Sequence, residues 1–263
     1  MKIYATHEVP IEAFQLTYDL FEKCGIINII HPRKSKEESV RIKFQNYDIA
    51  LFNFVEGIVS DEAVLNNDHF EQLGVLIAKI HQSIKVIGPF IKKETFELRD
   101  EDYLRVMKSL SLDDNPDQMV IDMKNILRSQ QPHIEKEYIE LKDLQHQIKQ
   151  QNIEFVNCHG DPTPSNIMMT KDEQVFLIDW DDPICAPKEK DLVFLHHRSP
   201  AVMEGYKEVN QSSELNQQIL DFYLHLWNVH EIGGYGTQII DSKDQDPKQR
   251  QYHQDGLKFA LKE

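Results

Sequence analysis

A short acidic loop holding two prolines, set between β-prone runs, constrains this chain more than any other feature. Phe155-Val156-Asn157-Cys158 reads as a strand and runs into His159-Gly160-Asp161-Pro162-Thr163-Pro164-Ser165-Asn166, where Pro162 and Pro164 exclude helix. Ile167–Thr170, the polar turn Lys171–Gln174 and the run Val175–Asp179 then follow the pattern of a hairpin. Pairing Thr170 with Val175 across that turn sets Asn166 opposite Asp179, with Cβ atoms roughly 5 Å apart. A β-insert over 154–180 is therefore expected inside a region that otherwise reads as helical.

The chemistry of that insert follows from its residue types. An amide oxygen and a carboxylate that face each other are hard oxygen ligands suited to Mg²⁺, which also keeps waters and takes phosphate oxygens. Asp161 precedes Asn166 in an Asp-x-x-x-x-Asn spacing, and a second acid, Asp179, comes after it, which is the order of the kinase template. An ordinary aspartate, with a pKa of about 3.9, is already ionised at neutral pH, so orienting an attacking hydroxyl matters more here than strong basicity. Taken singly, Asp161 reads as a turn aspartate, Asn166 as a strand cap and Asp179 as a surface acid. Taken together, spacing and register favour function. His159 is expected to brace the catalytic loop by hydrogen bonds. His196 and His197 show no ligand spacing on a recognisable helix face. Gly233-Gly234-Tyr235-Gly236 follows a helical run, not a strand, and is expected to be a turn.

At 263 residues the chain suits one large domain or two closely packed lobes. Ile11, Phe14, Tyr18 and Phe21 recur at helical spacing between Pro10 and Gly25, and Ile26–Ile30, Val40–Phe44 and Ile49–Val55 are β-prone. Asn67 or Asp68 is expected to cap a helix carrying Phe70, Leu73, Ile77 and Ile80. Behind Pro132, residues Ile134, Tyr138, Leu141, Leu144 and Ile148 form one apolar face. The organisation expected is a small sheet-and-helix part at 1–57, with a hinge near 52–57, and a mainly helical part at 58–263.

Twenty-nine Lys and Arg against 44 Asp and Glu give a net charge of −15, which opposes binding to nucleic acid or an anionic membrane and attracts a cationic partner. Cys24, Cys158 and Cys185 show no Cys-x-x-Cys spacing, which fits a reducing compartment. No apolar run approaches the roughly 18 residues of a membrane span, and Met1–Pro10 lacks a signal-peptide layout, so a soluble, cytoplasmic product is expected.

His159-Gly160-Asp161 with Asn166, followed by Leu177-Ile178-Asp179-Trp180-Asp181, resembles the catalytic and metal motifs of the aminoglycoside phosphotransferase family. The continuation through Asp182-Pro183 and Ala186-Pro187-Lys188-Glu189-Lys190-Asp191-Leu192 is similar to its spectinomycin (aminocyclitol) branch. The resemblance implies an α+β, protein-kinase-like fold of two lobes, the second mainly helical. It implies a small-molecule kinase that transfers the γ-phosphate of ATP to a hydroxyl of an aminoglycoside, aminocyclitol or similar cationic amino-alcohol. It makes Asp161 the base, Asn166 and Asp179 the Mg²⁺ ligands and Asp191 the support of the catalytic loop. Lys2 resembles the phosphate-binding lysine and Glu12 its partner, while backbone groups of Asn53 and Val55 resemble the hinge that meets adenine. Asp181, Asp182 and Glu231 are acids suited to substrate ammonium groups.

One departure stands beside these matches. The strands and Gly-rich loop that precede the lysine strand in the family have no counterpart before Gly25, which implies a truncated sheet lobe and an unpaired sheet edge that favours self-association. The alternative expectation is a kinase-like binding protein with impaired catalysis.

Overall fold

The structure, a computed structural model, describes residues 2–5, 9–60, 64–89, 92–112, 117–241 and 246–261. Its contacts divide into two compact units, both discontinuous in sequence: residues 1–95 with 153–216, and residues 96–152 with 217–263. The boundary expected near residue 57 lies inside the first of these units.

In the first unit, strand β1 (Lys2–Ala5) is followed by helix α1 (Ile11–Glu22), with Pro10 at its N-cap and Gly25 beyond its end at φ +66°. Gly25 tolerates that left-handed backbone because it has no Cβ, and its N–H closes the helix on the Phe21 carbonyl. The face α1 buries centres on Ala13, Phe14, Leu16, Thr17 and Leu20. Ile11 stays exposed and Phe21 stacks on His31, so the expected stripe is rotated. Strands β2 (Ile42–Phe44) and β3 (Tyr47–Ala50) form an antiparallel hairpin, and β1 joins it in the order β1-β3-β2. Ile3, Ile42 and Phe44 on this sheet are exposed, while Tyr4, Val9, Phe14, Val40 and Ala50 pack beneath it.

Ile26–Ile30, expected as a strand, makes only an isolated bridge through Ile29 to Leu177. Strand β4 (Gly57–Val59), which the sequence did not suggest, pairs with β6 (Ile167–Thr170), and β6 pairs with β7 (Val175–Leu177). Helix α2 (Asn67–Gln82) is capped by Asn66, one residue earlier than expected; its amide accepts from the His69 N–H and the His69 ring accepts in return. A short helix, α3 (Ile84–Ile87), follows.

The second unit is helical. It holds α4 (Glu101–Ser109), α5 (Gln118–Ile148) and, later in the chain, α8 (Gln217–Asp241) and α9 (Pro247–Ala260). Helix α5 continues through Pro132, so the apolar face expected behind that proline belongs to a helix that begins before it. The proline removes one N–H donor, but a long helix packed on α8 retains the rest, and Ile134, Leu141 and Ile148 are buried as expected. The segment Gly233–Gly236 is not a turn but lies within α8. A Cβ at Gly233 would come within 2.6 Å of the Tyr103 nitrogen, and one at Gly236 within 2.7 Å of Val106, so these glycines allow α4 to approach α8 closely.

The remaining elements return to the first unit. Strands β5 (Val156–Cys158) and β8 (Ile184–Ala186) pair antiparallel, a 3₁₀ turn covers Pro164–Asn166, and α6 (Glu189–Leu192) and α7 (Pro200–Val209) close the unit. Helices α2 and α7 cross tightly, because a Cβ at Gly74 would lie 2.0 Å from the Val202 oxygen and one at Gly205 would lie 2.1 Å from the Glu71 oxygen. The core here joins Leu16 and Leu20 to Leu73, Ile77, Leu177, Trp180, Val202 and Tyr206. Among the described residues no helix is long and apolar enough to cross a membrane.

Candidate active site

The loop after β5 is fixed from below by one buried carboxylate. Asp191 accepts the His159 N–H at 2.9 Å on one oxygen and the Gly160 N–H at 2.8 Å on the other. Burial alone would raise the Asp191 pKa, but the hydrogen bond and charge of His81, together with the Gly160 N–H, hold it below the ordinary aspartate value. His81 Nε2 lies 3.1 Å from Asp191, and its Nδ1 lies 2.9 Å from the Tyr206 hydroxyl, which in turn accepts from the Asn210 amide at 3.2 Å. The ligand atoms of His81, Cys158 and Asp191 lie within 4.8 Å of one another, but both Asp191 oxygens already accept hydrogen bonds, so the cluster reads as a support for the loop. The family resemblance points to Asp191 but not to His81 or Tyr206 as its partners, since their meeting depends on the α2–α7 crossing and not on spacing along the chain.

His159 is buried and braces the loop from inside. Its Nε2 faces the Ile178 carbonyl at 2.9 Å and its Nδ1 faces the Asp161 N–H at 3.3 Å, a pair that requires the Nε2–H tautomer. Gly160 takes φ +94°, and a Cβ there would lie 2.5 Å from the Asp182 oxygen, so only glycine lets the two loops touch.

The exposed Asp161 is tied to Asn166: the Asn166 amide donates to the Asp161 carbonyl at 2.9 Å and to its carboxylate at 3.0 Å. That orients the amide and leaves Asn166 Oδ1 as its remaining ligand atom. The hairpin register differs from expectation by one residue: Ile167 pairs with Leu177, so Asn166 meets Ile178, whose N–H donates to the Asn166 carbonyl at 2.9 Å. Asp179 instead lies one step past that pair with φ +60°, a left-handed backbone uncommon for a non-glycine residue.

Asn166 and Asp179 nevertheless line one cavity of about 320 Å³, together with Lys2, Asn53, Val55 and Asp181. The Lys2 ammonium lies 2.5 Å from Asp179 Oδ1 and 3.3 Å from Asp181 Oδ1. Burial would lower the Lys2 pKa; the Asp179 hydrogen bond and the charges of Asp181 and Asp179 outweigh it and keep the amine above its ordinary value. Glu12 is exposed, and among the described residues no ion pair joins it to Lys2. The Asn53 N–H donates to the His31 carbonyl at 3.2 Å, and its side chain accepts the His31 N–H at 2.8 Å, which anchors the segment lining the cavity. Asp182 is exposed beside Gly160, and Glu231 lies on α8 of the second unit.

The donor set suits a hard divalent cation: a carboxylate already facing positive charge and an amide oxygen whose orientation is fixed. With a third acid on an adjoining loop, the arrangement can hold a metal-bound phosphate chain and orient a hydroxyl toward it.

Comparison with solved structures places the fold. Spectinomycin phosphotransferase, solved with ADP and spectinomycin, is 22% identical with a TM-score of 0.78, over 94% of this chain and 77% of that one. An aminoglycoside phosphotransferase from Alicyclobacillus acidocaldarius is 18% identical with a TM-score of 0.65, over 99% of this chain and 82% of that one. A choline/ethanolamine kinase family protein from Mesorhizobium loti is 11% identical with a TM-score of 0.59, over 99% and 87%. The fold is thus the α+β, kinase-like fold of small-molecule phosphotransferases. No curated protein matches the chain. The model of the phosphotransferase enzyme family matches residues 2–222, most of the chain, and the protein belongs to that family.

Proposed function

We propose that the protein transfers the γ-phosphate of ATP to a hydroxyl of an aminoglycoside, aminocyclitol or similar amino-alcohol. The observation that carries this reading is the Asp161–Asn166 pair, joined by hydrogen bonds, with Asn166 lining the same cavity as Lys2 and Asp179. The Asn53 carbonyl and the Val55 N–H would meet the adenine edge, and Lys2 the phosphates. Asn166 Oδ1 and the Asp179 carboxylate would hold Mg²⁺, which when bound neutralises charge on the transferring group.

Asp161 orients the acceptor hydroxyl and takes its proton as the oxygen attacks the γ-phosphorus; the bond from phosphorus to the bridging oxygen breaks, and ADP leaves with that electron pair. His159 and Asp191 keep Asp161 in place without touching the reacting atoms. Asp182 offers a carboxylate beside the loop for a substrate ammonium, in keeping with the net charge of −15. Glu231 carries no part of this reading.

The test is ATP consumption in the presence of Mg²⁺ and a panel of amino-alcohols. Turnover is expected to need both, and Asp161→Asn is expected to lower kcat by at least about a hundredfold with the KM for ATP little changed. Retained kcat in that variant would remove Asp161 from its role.

A further inference from the structure

Helix α1 turns Ala13, Phe14 and Thr17 toward the cavity that Lys2 lines, so the part of the helix facing that amine carries no acid. Glu12, beside this face, is exposed to solvent. A lysine has a long flexible stem, and its ammonium stays at one point only where fixed charges hold it. The charges that meet it come from Asp179 and Asp181, which line the same cavity. Lys2 and Tyr4 are two residues apart on β1 and therefore project to the same face of the sheet. The Tyr4 ring is buried edge-on against Phe14 at 5.4 Å, and its hydroxyl donates to Asp181 Oδ1 at 3.0 Å. The same carboxylate receives the Lys2 ammonium at 3.3 and 3.4 Å.

We propose that Asp181, held in place by the Tyr4 hydroxyl, is the positioning residue for Lys2 and supplies the counter-charge that α1 does not. The proposal rests on the reading of Lys2 as a phosphate-binding group. Two acids now share one ammonium; when Asp179 serves a divalent cation, Asp181 is the carboxylate left to hold Lys2 against the cavity. In this role Asp181 is committed to Lys2 and Tyr4 and not to a substrate ammonium.

Calorimetric titration of the intact protein with MgADP tests this, with adenosine as a ligand that lacks phosphate. Lys2→Ala and Asp181→Asn are each expected to weaken MgADP about tenfold, and the double variant to be no weaker than either, because both remove one interaction. Glu12→Gln is expected to stay within twofold, Tyr4→Phe to fall between, and adenosine affinity to be unchanged in all of them. Additive losses, unchanged or tighter MgADP binding by Asp181→Asn, an equal loss in Glu12→Gln, or an equal loss for adenosine would each overturn the positioning role. Absence of MgADP binding by the unaltered protein would overturn the nucleotide reading and this proposal together. Binding with uncoupled variants would overturn the proposal alone.

Discussion

Asp191 has the most to lose from a single substitution, because its carboxylate is buried and holds His81, His159 and Gly160 at once. Asp191→Asn keeps one acceptor oxygen but removes the charge and sets an NH2 group against a donor that the second oxygen had satisfied, and is expected to cost roughly 3 kcal/mol. Its folded pKa lies below the unfolded value of about 3.9, so its stabilisation is complete at neutral pH and is lost as pH falls through the folded pKa. Melting curves between pH 7 and pH 3 should show the gap between the unaltered protein and Asp191→Asn widest at pH 7 and shrinking on acidification; a constant gap would contradict the linkage. Tyr206→Phe keeps the ring and removes only the hydroxyl that faces His81, and is expected to cost about 1 kcal/mol. At this scale Asp161, Asn166 and Asp179 stand out in the sequence because they sit at fixed separations around one hairpin, whereas Asp191, on α6, is suggested only by the family resemblance. The sequence did not disclose the true register, since the turn closes between Thr170 and Gln174 with Glu173 in a left-handed backbone, one residue tighter than the four-residue turn that strand counting assumes. Nor did it pair Lys2 with Asp181, whose nearness is made by tertiary folding across the whole first unit.

Among the elements, the α2–α7 crossing sets where His81 and Tyr206 meet. Its two glycines face backbone, not flexible side chains, so a methyl group at either cannot be accommodated by a rotamer change. Gly74→Ala and Gly205→Ala are each expected to destabilise by roughly 1–3 kcal/mol in urea unfolding, and a neutral result would mean that the helices can slide apart freely. Helices α1 and α2 were legible from apolar spacing and end signals, with errors of one or two residues at their caps. Strand β4 was not legible, because three residues carry too little periodicity and its partner β6 lies more than a hundred residues later. Pro132 is held inside α5 although local propensity favours a break there, because the packing of α5 on α8 prevails over it.

For the whole molecule, the excess of acidic residues makes a prediction about substrate choice. If a cationic acceptor is drawn by a net charge of −15, then kcat/KM for an amino-alcohol should fall as salt is raised from low ionic strength to about 0.5 M, while that for an uncharged alcohol analogue should hardly move. Equal salt dependence for both would dismiss the electrostatic contribution. The interleaving of the two units bears on something else, the order of events during synthesis. The polypeptide passes from one unit to the other at residues 95–96, 152–153 and 216–217, so neither can be finished from a contiguous stretch. Lys2 leaves the ribosome long before Asp179 and Asp181, and the earliest segments must wait for residues beyond 153 before they can bury their apolar faces. A nascent chain stalled near residue 150 should therefore be readily cut by protease through its first ninety residues, and protection there should arise only when the later strands have emerged.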